Sequence, residues 1–414
     1  MTNASARVGL AELSLAIGGF AIGTGEFVAM GLLPNLANQF QVSIPAAGHS
    51  ISAYALGVVV GAPVIAIAAA RWARHKLLLA LMAFFAIGNI ATALVTHFPS
   101  LIAIRFATGL PHGAYFGVAS LVVASLAPSN GRAKAIGRMM LGLTGATLAG
   151  VPLATWLGQH FGWRAAFVLV AAIAALTGLL ILRFVPRSPG DQTASSLREL
   201  SAFRSEQVWF TLGVGAIGFG GVFCVISYIA PTLTHVTGLP SHCVPLALAA
   251  FGVGTISGNL FGSWLADRAL KPTIAAVLAW NAVVLAFFSV GVHYSWLAYF
   301  VVFLVGTGVA LVSPLQTRLM DVAKCAQTLA AAMNHAAFNV ANALGAWLGG
   351  AVISGGLGFA ATGWAGALLA VGGLLIFAAS MARERGRPVG DSPISPDPGQ
   401  HRAASVTAQS RLHR

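Results

Sequence analysis

Two charged side chains, Glu26 and Arg105, lie inside long apolar stretches of this sequence. An ionised side chain at the centre of a bilayer costs about 2.5–3.5 kcal/mol even on a lenient insertion scale, so such residues face a partner or a water-filled cavity. We predict that Glu26 is a proton or cationic-substrate site and that Arg105 couples to it. The alternatives are a structural glutamate with a local hydrogen bond and an arginine that anchors packing.

Two further groups of residues recur at helical spacing, so that each shares one helix face. They are Arg105, Gly109, His112 and Phe116 in the first group, and His335, Asn339 and Asn342 in the second. We predict that both faces line a substrate cavity, that His112 joins the proton coupling, and that Gln316 adds a polar group. The alternatives are a hydrogen-bonded structural histidine and interhelical hydrogen bonds without substrate contact.

These side chains require membrane-spanning helices to position them. The 414 residues are 57% hydrophobic and only 8% charged, which excludes an ordinary soluble protein, because about a quarter of the residues of such a protein are charged. Twelve apolar runs are long enough to cross a hydrocarbon core of about 30 Å as helices. Their predicted limits are 10–36, 44–70, 77–96, 101–127, 139–158, 165–182, 208–233, 244–266, 272–292, 294–317, 326–353 and 357–382.

The cations indicate the orientation of these spans. All but two of the 23 lysines and arginines fall in connections on one side or in the two termini, and the exceptions are Arg105 and Arg164. By the positive-inside rule, we expect both termini in the cytoplasm of a multi-pass protein of the cell (inner) membrane. The net charge of +13 therefore reflects topology and lipid contact, and we expect no nucleic-acid partner.

The spans divide into two sets of six. We predict a cytoplasmic N-terminus (1–9), a six-helix bundle (10–184), a cytoplasmic linker (185–207), a second six-helix bundle (208–383) and a disordered cytoplasmic tail (384–414). The segment 61–71 aligns with 258–268, at an offset of 197 residues. Parallel repeats of this kind build one group of secondary transporters, whose substrate site lies between the halves. The fold class is therefore an all-α membrane protein of twelve helices in two related bundles.

Several motifs resemble one transporter family. GSWLADR, from Gly262 to Arg268, is similar to a cytoplasmic loop signature of the major facilitator superfamily. LIAIRFATG, from Leu101 to Gly109, resembles the fourth-helix signature of its proton-coupled exporters. GLTGATLAGVPLATWLG in the fifth span is similar to their antiporter motif, although Val151 separates Gly150 from Pro152. With GEFVAMGLLPNLA and SPLQTRLMDVA, the chain resembles the drug and sugar-efflux branch that includes arabinose-efflux-type permeases.

The resemblance implies a gate that opens and closes as the halves rock. Its residues here are Gly150, Pro152, Gly258, Gly262, Asp267 and Arg268. The first half has Ala70 where the second has Asp267, so an acid-based gate would exist fully in one half only. The alternative is that Asp267 is an ordinary interfacial residue.

The function expected from residues and resemblance together is proton-coupled efflux of small amphipathic molecules such as drugs, by alternating access. Efflux of sugars or nucleosides is the rival, because the amides suit a hydroxyl-bearing ligand, and facilitated uptake is a further alternative. The sequence contains no zinc-protease, Walker or nucleophile-elbow motif, so we expect neither an enzyme nor a cofactor or metal. The expected partners are the substrate, protons and the lipid bilayer, and the protein is expected to be monomeric.

Overall fold

Helices make up nearly all of the structure. The computed structural model describes residues 2–69, 71–128, 132–187, 205–323 and 327–385, and no strand occurs within these ranges. A helix satisfies its backbone hydrogen bonds internally, and a span surrounded by hydrocarbon requires this because no water is available there. The apolar runs of this sequence therefore fold as helices.

The described ranges contain eleven long apolar spans, one of which makes two crossings. That span, Val244–Gly291, is broken at Ala269, where φ is −155° and ψ is 81°. The break has a local cause, because the ring of Pro272 would clash with the carbonyl group four residues earlier in a continuous helix. The chain thus has the twelve crossings that the sequence predicts.

We number the crossings α1 to α12, and several of them consist of consecutive segments. They are α1 (Thr2–Gly31 and Leu33–Phe40), α2 (Ile44–Ala68), α3 (Arg74–Leu94), α4 (Phe98–Leu126), α5 (Arg132–Gly145, Ala146–Gly150 and Val151–Phe161), α6 (Trp163–Phe184), α7 (Glu206–Gly213, Val214–Gly218, Gly220–Ile226 and Ile229–His235), α8 (244–268), α9 (270–291), α10 (Ser295–Thr307, Gly308–Leu311 and Val312–Ala323), α11 (Gln327–Ser354) and α12 (Ala361–Arg385).

Several helices extend beyond the predicted apolar runs. For example, α5 begins at Arg132 rather than at residue 139, and α12 ends at Arg385 rather than at residue 382. Long cationic side chains can reach the headgroup region while their stems cover apolar surface, so a helix continues past its apolar stretch. Regular α geometry is interrupted in α5 and α7 by π-helical segments, Ala146–Gly150 and Val214–Gly218.

Contacts between connections identify one end of the bundle. The ring of Phe40, at the end of α1, lies 6.0 Å from that of Phe98 and 5.7 Å from that of Trp163. The Gln159 side chain donates to the Ser241 carbonyl at 3.0 Å. Similar contacts at this end link Thr237 to Val292 and His235 to Phe359. We call this end the cation-poor end and the opposite one, which bears most of the lysines and arginines, the cation-rich end.

The internal repeat is visible in how helix pairs pack. Gly57 and Gly61 of α2 lie against the carbonyls of Phe106 and Leu110 in α4, so closely that a Cβ atom would overlap them. In the second half, Gly254 and Gly258 of α8 lie in the same way against Phe303 and Thr307 of α10. Each residue of the first set is 197 positions before its counterpart, which is the offset found in the sequence.

The structure does not test the predicted domain limits. Met1–Phe377 forms one compact unit, which contains both halves, and Ala378–Arg414 forms a second unit that begins with the end of α12. Most of the predicted linker (188–204) and the predicted tail from residue 386 onward lie outside the described residues. Within the first unit the two halves meet mainly through α2 with α11 and α5 with α8.

Candidate substrate and proton site

The Glu26 carboxyl group lies at the boundary between the two halves. Glu26 is only 5% exposed. The side-chain amide of Asn342, on α11 of the other half, donates a hydrogen bond to its Oε1 at 3.1 Å. A carboxyl group from one half and an amide from the other therefore form the centre of the site.

Arg105 fixes the backbone that carries Glu26. Its guanidinium donates to the Gly25 carbonyl at 3.0 Å and to the Glu26 carbonyl at 3.5 Å. The same group lies over the Tyr54 ring, with its carbon 4.3 Å from the ring centre. Within the described residues, His112 is the one cation-forming side chain within 4.0 Å of the Glu26 carboxylate. Arg105 thus acts on the main chain of α1.

His112 connects Glu26 to the second helix. Its Nδ1 lies 4.0 Å from Oε2 of Glu26 and 3.2 Å from the hydroxyl group of Tyr54. Tyr54 OH can donate to Nδ1 when that nitrogen carries no proton, whereas a protonated Nδ1 can donate toward the carboxylate. The imidazole therefore lies between the Tyr54 hydroxyl group, which it contacts, and the Glu26 carboxyl group.

The two predicted cavity faces meet across the halves. The rings of His112 and Phe116, on α4, have centroids 5.4 Å apart. Phe116 in turn stacks on His335 of α11, at 5.7 Å and with planes 7° from parallel. A second stacked pair joins α1 to α7, with the ring centroids of Phe27 and Phe223 6.3 Å apart. The surroundings of Glu26 are therefore aromatic and come from both halves.

The two predicted amides differ in their contacts. Asn339 donates to the carbonyl of His335 on its own helix at 3.0 Å, whereas Asn342 crosses to Glu26. The side-chain oxygens of both are buried and have no hydrogen-bond partner in the structure. Each amide can therefore accept a hydrogen bond from a ligand or from a neighbouring acid.

Other predicted cavity residues lie elsewhere. Gly109 packs against the backbone of Tyr54 in α2, where a Cβ atom would overlap the carbonyl oxygen. Gln316 is half-buried on α10, within the second half. Neither residue is in the group of contacts around Glu26.

The predicted gating residues do not form one network in this structure. Gly258 and Gly262 pack against the α10 backbone, and a Cβ atom at Gly150 would overlap Thr24 of α1. Pro152 follows the π-helical segment of α5, in the first turn of the next segment. The three glycines allow close approach between helices, and their role in gating stays a prediction.

Asp267, the predicted acidic gate residue, is exposed at the cation-rich end. No lysine, arginine or histidine among the described residues lies within 4.0 Å of its carboxylate. Arg268 instead lies over the Trp264 ring of its own helix, at 3.5 Å from the ring centre, and donates to the Trp264 carbonyl at 3.2 Å.

Sequence reasoning did not select Tyr54 as a site residue. Its ring supports the Arg105 guanidinium and its hydroxyl group contacts His112. A signal was available, because a tyrosine within an apolar span needs a partner for its hydroxyl group.

Among the described residues, no group of three or more histidine, cysteine, aspartate or glutamate side chains could hold a metal ion.

Contacts between the halves close the cation-poor end. Ser52 of α2 donates to the Ala343 carbonyl of α11 at 3.1 Å. Gly48 of α2 lies against the Tyr228 hydroxyl group of α7, which donates to Ala346 at 2.7 Å. Nearer the middle of the helices, Thr147 of α5 and Thr255 of α8 add a hydroxyl pair between the halves at 3.2 Å. The carboxyl site is therefore separated from the cation-poor side by packed helices.

Comparison with known proteins places this architecture in a family. The sequence profile of the Major Facilitator Superfamily matches residues 15–334. The chain belongs to that superfamily. Its fold is therefore that of a major facilitator transporter with twelve helices, as the motifs predicted, and the protein is a transporter rather than an enzyme.

Individual relatives are similar to this superfamily member over most of its length. It is 40% identical over 365 residues to the inner membrane transport protein YdhP of Escherichia coli (strain K12), covering 88% of this chain and 94% of that one. It is 32% identical to a chloramphenicol resistance protein of Streptomyces lividans, covering 87% and 94% respectively. The solved structure of a D-xylose–proton symporter has the same fold, with a TM-score of 0.70 at 18% identity, over 89% and 96% of the two chains.

Proposed function

We propose that this major facilitator transporter exports small amphipathic molecules in exchange for protons. One observation carries the proposal. The carboxyl group of Glu26 is buried between the halves, with Asn342 at 3.1 Å and His112 at 4.0 Å. A group so placed can hold a proton or a substrate, and both would then depend on the same rearrangement of the halves.

We further propose that the cation-rich end faces the cytoplasm of the inner membrane. The distribution of lysine and arginine supports this orientation under the positive-inside rule. The relative YdhP bears the name of an inner membrane protein. In this orientation the packed contacts at the cation-poor end face outward, and substrate from the cytoplasm approaches Glu26 from the cation-rich end. The protein is expected to act as a monomer.

Transport then requires that Glu26 exchange its ligands. Substrate from the cytoplasm displaces the proton, which leaves toward the cytoplasm, and the loaded carrier opens outward. A proton taken up on the outer side returns the carrier. Each cycle moves one substrate outward and one proton inward if a single carboxyl group serves both, because this group cannot hold both at once.

The chemistry of the site favours an amphipathic, partly aromatic substrate. Phe27, Phe116 and Phe223 provide aromatic surface near the half boundary. The Arg105 side chain is 1% exposed and its guanidinium donates to a backbone carbonyl, so it does not bind an anionic substrate. The name of the chloramphenicol resistance protein is consistent with drug export.

Sugar or nucleoside efflux is the second candidate, and facilitated uptake is a further one. The observation that favours a hydroxyl-bearing ligand is the pair of unpartnered amide oxygens of Asn339 and Asn342. A neutral sugar exporter should lose transport in Asn339→Ala yet bind substrate in Glu26→Gln. A cationic-drug exporter should show the opposite order, because loss of a buried counter-charge costs more than loss of one amide.

Everted membrane vesicles test the proposal directly. Substrate added to vesicles with an acidified lumen should release protons, and Glu26→Gln should abolish the release. Glu12→Gln is a matched control on the same helix, because Glu12 pairs with Arg138 at 2.9 Å near the cation-rich end. Proton release that is undiminished in Glu26→Gln would remove this residue from the mechanism. A growth screen against drugs, sugars and nucleosides in an exporter-deficient host would identify the substrate class.

A further inference from the structure

The amide that contacts Glu26 has an unused acceptor. Asn342 is 0% exposed, and its nitrogen donates to Oε1 of Glu26, while its oxygen has no hydrogen-bond partner among the described residues. A buried acceptor without a donor is costly, so a hydrogen bond to this oxygen would stabilise the interface. The hydrogen that this amide lacks can come from the acid that it already contacts.

The two charge states of Glu26 differ in what they offer this amide. An ionised carboxylate only accepts hydrogen bonds, so it leaves the Asn342 oxygen unsatisfied. A protonated carboxyl group has one O–H donor and one accepting oxygen, which complement the acceptor and the donor of a primary amide. The protonated acid and the amide can thus form two hydrogen bonds where the carboxylate forms one.

The other polar groups around Glu26 do not supply this hydrogen. Arg105 of α4 donates to the Gly25 and Glu26 carbonyls. His112 of α4 is 3.2 Å from the hydroxyl group of Tyr54 on α2 and 4.0 Å from the carboxylate. On α11, His335 stacks on Phe116. α7 brings Phe223 against the neighbouring Phe27. Asn342 is therefore the side chain in direct hydrogen bonding with the carboxyl group.

We propose that Asn342 is a positioning residue that recognises the protonated form of Glu26 and thereby holds the cation-poor end closed. The next residue, Ala343, accepts the hydrogen bond from Ser52 that joins α11 to α2. The pairing at Asn342 and the Ser52–Ala343 hydrogen bond therefore join the halves at adjacent positions of α11. When Glu26 loses its proton to the cation-rich side, the amide loses one of its two bonds and closure weakens. This inference rests on the proposed function for the role of the proton in transport.

A distance measurement across the cation-poor end tests this role without any substrate. Gln159 and Ser241 are joined by a hydrogen bond across the halves. Both are replaced by cysteine and spin-labelled in a protein that also carries Cys224→Ala, Cys243→Ser and Cys325→Ser. The closed population is measured between pH 5 and pH 9.5 in reconstituted full-length protein. We expect this population to fall as the pH rises.

Three variants separate proton recognition from packing. Glu26→Gln, which mimics the neutral acid, should stay closed at every pH. Asn342→Leu should be less closed at acidic pH and should lose the pH dependence. Asn281→Leu is the matched control and should behave like the spin-labelled protein with native Glu26 and Asn342, because the buried Asn281 amide donates to Gly308 within the second half. Size-exclusion profiles confirm that each variant is folded, and Asn342→Ala, which also removes the amide, replaces Asn342→Leu if the latter aggregates.

Two results would overturn the inference. One is an unchanged pH dependence of the closed population in Asn342→Leu or Asn342→Ala. The other is a protein with native Glu26 and Asn342 that stays as closed at pH 9.5 as Glu26→Gln does. The proposed function fails separately, when substrate addition releases no protons from vesicles. A pH-dependent closure without proton release would retain the role of Asn342 and reject antiport.

Discussion

Phe116 and His335 stack across the two halves of the transporter, with ring centroids 5.7 Å apart and planes 7° from parallel. They belong to the two helix faces that the sequence singled out, one on α4 and one on α11. Because a substrate passing between the halves must separate or replace this contact, the pair lies on the expected route from the cation-rich end to Glu26.

The first prediction concerns this stacked pair. Phe116→Ala should weaken the apparent affinity for an aromatic substrate by about twofold to tenfold, because aromatic pairs contribute about 0.5–1.5 kcal/mol beyond area burial. Concentration-dependent efflux from everted vesicles gives the affinity. Phe300→Ala is the control, since Phe300 is 53% exposed on the outer surface of the bundle and should leave the affinity unchanged. Equal affinities in Phe116→Ala and the parent would exclude this ring from the substrate route.

The second prediction concerns Arg105. Arg105→Lys should destabilise the protein and reduce transport, because one ammonium group cannot replace a planar guanidinium that bonds two carbonyls and stacks on Tyr54. The expected loss is about 1.5–3 kcal/mol, the usual range for hydrogen bonds to charged groups. Thermal unfolding in detergent measures it. Arg164→Lys, which removes a partly buried contact to the Val95 carbonyl, should cost less. An Arg105→Lys melting curve that matches the parent would contradict this assignment.

The third prediction concerns the glycines that join paired helices. Gly258→Ala should destabilise the second half by about 1–3 kcal/mol, because the added Cβ atom meets the backbone of Thr307 and cannot be accommodated by a side-chain movement. Gly117→Ala should have little effect, since nothing lies within 4 Å of a Cβ atom there. Melting temperatures of the two variants in the same detergent make the comparison, and a Gly258→Ala value at or above that of Gly117→Ala would disprove the close packing.

The fourth prediction concerns the proposed gate at the cation-rich end. If Asp267 holds this end closed during part of the cycle, Asp267→Asn should favour the conformation open toward the cytoplasm. Labelling of a cysteine introduced in the half boundary should then become faster from that side. Asp321→Asn is the control, because Asp321 is also exposed near this end on α10. Equal labelling rates in both variants and the parent would leave Asp267 as an ordinary interfacial residue.

The sequence alone determined the twelve crossings, because an uncharged run of about 20 residues has no other stable arrangement in a bilayer than a helix. It also indicated the repeat, since the glycines at 61 and 258 must serve the same close helix approach in each half. Glu26 was identifiable for a similar reason: an acid within such a run requires a partner.

Only the tertiary structure decided which partner each of these residues has. Arg105 was predicted to be a coupling residue or a packing anchor, and the structure shows that its guanidinium bonds the backbone carbonyls of Gly25 and Glu26. Gly109 shares a predicted face with His112, yet it packs on α2 while His112 approaches Glu26.

The partner of the Glu26 carboxyl group, Asn342, is 316 residues away in the chain. Helical spacing fixes which residues share a face, but the rotation, tilt and breaks of each helix decide what that face meets. These depend on packing among all twelve helices, and no local pattern in the sequence specifies them.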